Sequence, residues 1–219
     1  MLASLAEFIR TGGTFMYINI VVSVATLAVI IERVLRLYFQ YNIDGKDFTN
    51  QILTHLKAGS VEKAIKTCNA APNAMLPIVL KRGLSAMSRG TEAVSQGFEE
   101  ATLENMPNVH QRVQTLWSLA NVATLIGLIG TIFGLISAFQ GIGTAAADKK
   151  TELLTKGIAE AMNNTAFGLS IAVTNIIGHM FIHNKARHMS EEIEHAIVQV
   201  ENLLSKTTLE NQGGQAASR

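Results

Sequence analysis

Two apolar stretches, Val113–Phe139 and Ile158–His183, hold the side chains with the most chemical content in this sequence. The first contains Gly127, Gly130, Thr131, Gly134 and Ser137; the second contains Asn163, Asn164, Thr165, Gly168, Thr174, Asn175 and His179, with Glu160 near its start. On an ideal helix turning about 100° per residue, Ala161, Thr165, Gly168, Ala172, Asn175 and His179 share a stripe roughly 80° wide. The opposite arc is Met162, Ala166, Leu169, Val173, Ile176, Ile177 and Met180. Hydrocarbon offers no partner to a hydroxyl, amide or imidazole, so such groups face another helix or a wet path. Thr131, Thr165, Glu160, Asn175 and His179 are therefore the candidates for lining a polar path through the membrane. Gly127, Gly130, Gly134 and Gly168 are the candidates for helix packing, with Gly130 and Gly134 at the spacing that lets backbones approach closely.

Plainer roles fit the same residues. Threonine hydroxyls often bond their own backbone carbonyl one turn back, and glycine is common wherever helices cross. Glu160 falls about 140° from Thr165 on an ideal helix and lies near the end of its stretch, as a solvated interfacial acid does. His179 and His183 have the i, i+4 spacing of metal ligands. Met180, Phe181 and Ile182 between them supply no base, however, and only His188 offers a third ligand, so no metal is expected. No Ser/His/Asp order, phosphate-binding glycine loop or pair of catalytic carboxylates stands out; neither an enzyme nor a cofactor is expected.

Elements long enough to cross a membrane must carry these residues. A hydrocarbon core of about 30 Å needs roughly 20 residues of helix, and three stretches exceed that: 14–39, 112–140 and 157–184. The first has a mostly apolar run, Phe15–Ile31, followed by Glu32, Arg33 and Arg36. Ser23-Val24-Ala25 has cleavage-like small residues, but the apolar run continues beyond it, and an uncleaved span is expected. The 219 residues are 48% hydrophobic, with formal net charge +1 and mean hydropathy +0.25. The apolarity is concentrated in segments, and near-neutral charge gives no argument for nucleic acid. Cys68 is the single cysteine, which excludes an internal disulfide.

The remaining sequence reads as helical. Residues 1–13 suit an interfacial helix ended by Gly12-Gly13. Residues 40–111 form a helical domain too long for a hairpin loop, with helices over Lys46–Ala58, Val61–Asn69, Ile78–Ser88 and from Thr91. Ser60 is the expected cap of the second of these. The last is expected to run on toward the second span, with Pro107 kinking it. Residues 141–156 read as a short polar loop. Met189, Ile193, Ile197, Val200 and Leu204 give 185–206 a helical stripe that needs a partner, and 207–219 reads as a disordered tail. Arg33, Arg36, Arg112, Lys185 and Arg187 modestly outnumber Arg10, Lys149, Lys150 and Lys156 on the other side, which places the large domain and C-terminus in the cytoplasm and the N-terminus in the periplasm.

The run Leu125-Ile126-Gly127-Leu128-Ile129-Gly130-Thr131-Ile132-Phe133-Gly134-Leu135-Ile136-Ser137-Ala138-Phe139, followed by Gly157-Ile158-Ala159-Glu160-Ala161-Met162-Asn163-Asn164-Thr165-Ala166-Phe167-Gly168-Leu169, resembles the MotA/TolQ/ExbB proton-channel family in its three-span ExbB and TolQ form. The resemblance implies an all-α inner-membrane protein of bacteria whose long helices extend into a cytoplasmic helical domain. It implies a homopentameric ring around the transmembrane helices of an ExbD- or TolR-like single-span partner, which supplies the proton-carrying aspartate. The family's pore threonines map onto Thr131 and Thr165 and its glutamate onto Glu160. The implied function is a proton-channel stator that converts proton motive force into work on periplasmic or outer-membrane components. Alternatives are a sodium-driven variant and a non-conducting membrane scaffold. One departure is local: Val173-Thr174-Asn175 stands where the family commonly has Ile-Pro-Ala, and His179-Met180 where it has Tyr-Asn.

Overall fold

A computed structural model of the protein describes residues 12–144 and 146–217. Seven α-helices occur among these residues: α1 (Gly13–Leu35), α2 (Gly45–Lys57), α3 (Val61–Asn69), α4 (Met75–Leu84), α5 (Thr91–His110), α6 (Val113–Thr144) and α7 (Lys150–Ala217). A π-helical turn, Arg36–Gln40, follows α1, and a 3-10 turn, Met87–Arg89, follows α4. Three of the helical segments are long and apolar enough to cross a membrane. The expected interfacial helix falls, up to residue 11, outside the described residues; Gly13, at φ +66°, opens α1.

The chain forms two compact units. One comprises the residues up to Arg33 together with Arg112–Ile182, and holds most of α1, all of α6 and the first half of α7. The pairs Gly13 with Glu160, Asn19 with Gly168, and Ile30 with Gly178 advance together along both helices, so α1 and α7 run parallel. Gly134 meets Ala161, Gly130 meets Asn164 and Gly127 meets Thr165 and Gly168, so α6 runs antiparallel to α7. The arc Met162, Ala166, Leu169, Val173, Ile176, Ile177 and Met180 is exposed throughout, as a surface meant for lipid or another chain must be.

The other unit comprises Val34–Gln111 and the chain from His183. Its core includes Ile52, Ala64, Leu80, Leu84 and Phe98, with Met189, Ile193, Val200 and Leu204 of α7 also buried. The α7 stripe thus finds its cover within this unit. Burial pushes the Cys68 thiol up to about 11, opposed by the Lys81 charge.

Several boundaries differ from the sequence expectation. The second span does not inherit a continuous helix: α5 contains Pro107 and ends at His110, and the break comes at Gln111 and Arg112, the latter at φ +59°. Arginine carries no breaking signal. The expected loop 141–156 is shorter, because helix extends through Gly141 and Gly143 to Thr144 on one side and starts at Lys150 on the other. Spans and tail are not separated either. With no proline after Gly178 and no glycine until Gly213, α7 continues unbroken through 185–206 and on to Ala217, where a disordered tail was expected. Ser60 makes no side-chain cap bond, whereas Asp44 caps α2 by accepting from the Asp47 amide at 3.2 Å.

Candidate functional site

The α6–α7 crossing is built on glycine. A Cβ added to Gly127 would lie 3.1 Å from the Asn164 carbonyl oxygen, and one added to Gly168 would lie 2.6 Å from the Ala123 carbonyl oxygen. Side chains at either position would push the backbones apart. Gly130 lies under the Asn164 side chain, and Gly134 under Ala161. All four packing glycines sit at this contact.

The two threonines lie on either side of it and use their hydroxyls differently. Thr165 Oγ1 donates across the interface to the Gly127 carbonyl at 3.1 Å. Thr131 Oγ1 donates within its own helix to the Leu128 carbonyl at 2.5 Å. Both side chains are half-buried. With the proton committed to a carbonyl, each hydroxyl oxygen keeps lone pairs free to accept from water or a protonated acid.

Glu160 is half-buried against the first residue of α1: a Cβ on Gly13 would overlap its carboxylate. The first turn of a helix presents unpaired amides and a partial positive charge, a favourable setting for an anion. Glu160 thus lies against the start of α1 and does not share the face of Thr165. The second unit repeats the device, with the Glu192 carboxylate against Gly45 at the start of α2.

The other two candidates lie deeper. Asn175 is 0% exposed in the α1–α7 contact, where its Nδ2 donates to Thr26 Oγ1 at 3.3 Å. It therefore lines no open face of the single chain; the small, polar stripe of α7 is turned toward α1 and α6. His179 is half-buried, its ring centroid 5.9 Å from that of Trp117 on α6. Among the described residues, no three His, Cys, Asp or Glu side chains converge on a common point.

Sequence reasoning missed the contribution of α1. Asn19, Thr26 and Arg33 are all buried and recur every seven residues, the spacing of a seam between two helices. That period was available in the sequence. Arg33 is 0% exposed and lies 4.0 Å from Glu32, which also pairs with Arg112 at the start of α6.

Three helices long and apolar enough to cross a membrane, two of them packed at a glycine-floored crossing, mark a polytopic membrane protein. The chain belongs to the MotA/TolQ/ExbB proton channel family, whose model matches residues 71–195. It is similar to a putative biopolymer transport protein ExbB homolog of Methanothermobacter thermautotrophicus, with 21% identity over 188 residues, 86% of this chain and 66% of that protein. It is similar to biopolymer transport protein exbB1 of Vibrio cholerae, with 33% identity over 88 residues, 40% of this chain and 39% of that protein. It is also similar to the Tol-Pal system protein TolQ of Haemophilus influenzae, with 31% identity over 94 residues, 43% of this chain and 40% of that protein. The chain spans less than two thirds of the length of each of these relatives.

Proposed function

We propose that this chain is the channel-forming subunit of an ion-driven motor in the bacterial inner membrane, with its large domain and C-terminus cytoplasmic and its N-terminus periplasmic. Five copies form a ring around an ExbD- or TolR-like single-span partner. The ring couples proton motive force to work on periplasmic or outer-membrane components. The observation that carries this reading is the pair Thr131 and Thr165, whose half-buried hydroxyls flank the glycine crossing in a family of proton channels.

The charge pattern supports a channel completed by another chain. No aspartate or glutamate lies between Ala161 and Ile182, and none lies in α6. In this reading the mid-membrane carboxylate comes from the partner. Its carboxyl, when facing apolar wall, holds its proton because desolvation disfavours the anion; beside water and the two threonine oxygens it can ionise. Each proton crossing 100 mV supplies about 2.3 kcal/mol, which is enough to bias a rotational step. Glu160 sits outside this exchange and fixes α7 to the start of α1 at the rim of the ring. Asn175 and His179 support the wall from within the subunit.

The internal bonding of both hydroxyls also fits a scaffold whose threonines only pack helices, and flux decides between the two. Proteoliposomes holding the chain with its single-span partner are expected to show partner-dependent proton flux. Thr131→Val with Thr165→Val should reduce that flux at least tenfold while leaving assembly intact. Undiminished flux in the double variant removes the threonines from the pathway, and no flux from an intact wild-type complex favours the scaffold.

A further inference from the structure

The α1, α6 and α7 helices meet around two buried amides whose hydrogen-bonding capacity is unused. Asn19 is 0% exposed and Asn164 2% exposed. Among the described residues, Asn19 Nδ2, Asn19 Oδ1 and Asn164 Oδ1 have no hydrogen-bond partner. Asn19 Nδ2 lies 3.3 Å from where a Gly168 Cβ would be, and Asn164 is one turn earlier on the same buried face of α7. The Asn164 carboxamide lies against Gly130 of α6, so the two amides flank the same stretch of α7, one on its α1 side and the other on its α6 side.

The type of free group decides what fits. An unsatisfied amide in an apolar interior costs about 1–3 kcal/mol, and a membrane-embedded contact has no bulk solvent to relieve it. A cation would serve the two amide oxygens but would oppose the free Nδ2 donor. An apolar filler would serve none of the three. Water both donates and accepts, and a buried water typically makes about three hydrogen bonds, the number of free groups here.

We propose that the junction of α1, α6 and α7 is a water-binding site inside each subunit, held by Asn19 and Asn164. It lies directly behind the crossing that carries Thr165 and Thr131 and is separate from any pore formed between subunits. A second polar step follows two turns along, where Asn175 Oδ1 is also free beside Thr26. The seam therefore carries hydrogen-bonding groups that can exchange partners through water when α1 and α7 shift.

X-ray radiolysis of the intact complex in lipid nanodiscs tests this, because radicals generated at bound water oxidise neighbouring side chains. Met16 is the reporter: it is 0% exposed and one turn from Asn19 on α1. It is expected to be oxidised at a dose comparable to that for the half-buried Met87 of the other unit, and Asn19→Leu should cut Met16 oxidation at least fivefold while leaving Met87 unchanged. A Met16 that stays unmodified in the wild-type complex overturns the proposal without any variant. So does Met16 oxidation that persists in Asn19→Leu, since the radicals would then come from water that Asn19 does not hold.

Discussion

At the scale of single residues, glycine at a close crossing and glycine in open helix have opposite value. Gly168 leaves no room for a methyl group, with the Ala123 carbonyl 2.6 Å and the Gly127 Cα 3.1 Å from the Cβ position, whereas a Cβ on the exposed Gly143 meets no described atom within 4 Å. Overpacking a close contact costs about 1–3 kcal/mol, and replacing an exposed helical glycine by alanine returns about 0.5–1 kcal/mol. Thermal unfolding in detergent should therefore show Gly168→Ala less stable and Gly143→Ala equal to or more stable than wild type. Equal destabilisation by both would mean that the α6–α7 backbones do not approach as described. The packing glycines were legible in sequence because their spacing repeats. Asn19 and Thr26 were passed over because α1 carries few polar groups, and their common period joins them only when Arg33 is read as part of the same seam.

At the scale of elements, helix identity was more legible than helix ends. Apolar length alone marks the three spans, since hydrocarbon thickness sets a minimum that few soluble helices reach. The ends depend on local choices that the sequence leaves open. Ser60 and Asp44 both stand before a helix, but only the Asp44 side-chain oxygen accepts a capping bond, from the Asp47 amide, with Ser60 making no such bond. Asp44→Ala should accordingly lower stability by about 1 kcal/mol, the usual worth of an N-cap, while Ser60→Ala should change it little. Urea unfolding of the purified protein checks the pair, and a Ser60→Ala loss as large as that of Asp44→Ala would reverse the assignment. The break at Gln111 and Arg112 has no such signature. A non-glycine residue in the left-handed region is uncommon, and here it coincides with the Arg112–Glu32 ion pair, a contact between residues 80 positions apart that no local pattern encodes.

At the scale of the whole molecule, the open question is which ion does the work. Sodium must exchange its hydration shell for several protein oxygens converging on one point. In the spans, the oxygens outside the subunit interior at the glycine crossing are those of Thr131 and Thr165, each already donating to a backbone carbonyl. The Asn19, Asn164 and Asn175 amides are enclosed within the chain, and Glu160 lies against the start of α1. Two hydroxyl oxygens make a poor sodium shell, yet they suffice to accept hydrogen bonds from water or from a protonated carboxyl. On that ground the proton is the proposed coupling ion. With every sodium salt replaced by potassium, the reconstituted complex should keep its full flux under an imposed pH gradient, and a sodium gradient alone should drive nothing. Flux that vanishes in potassium and returns with millimolar sodium would instead identify sodium as the coupling ion.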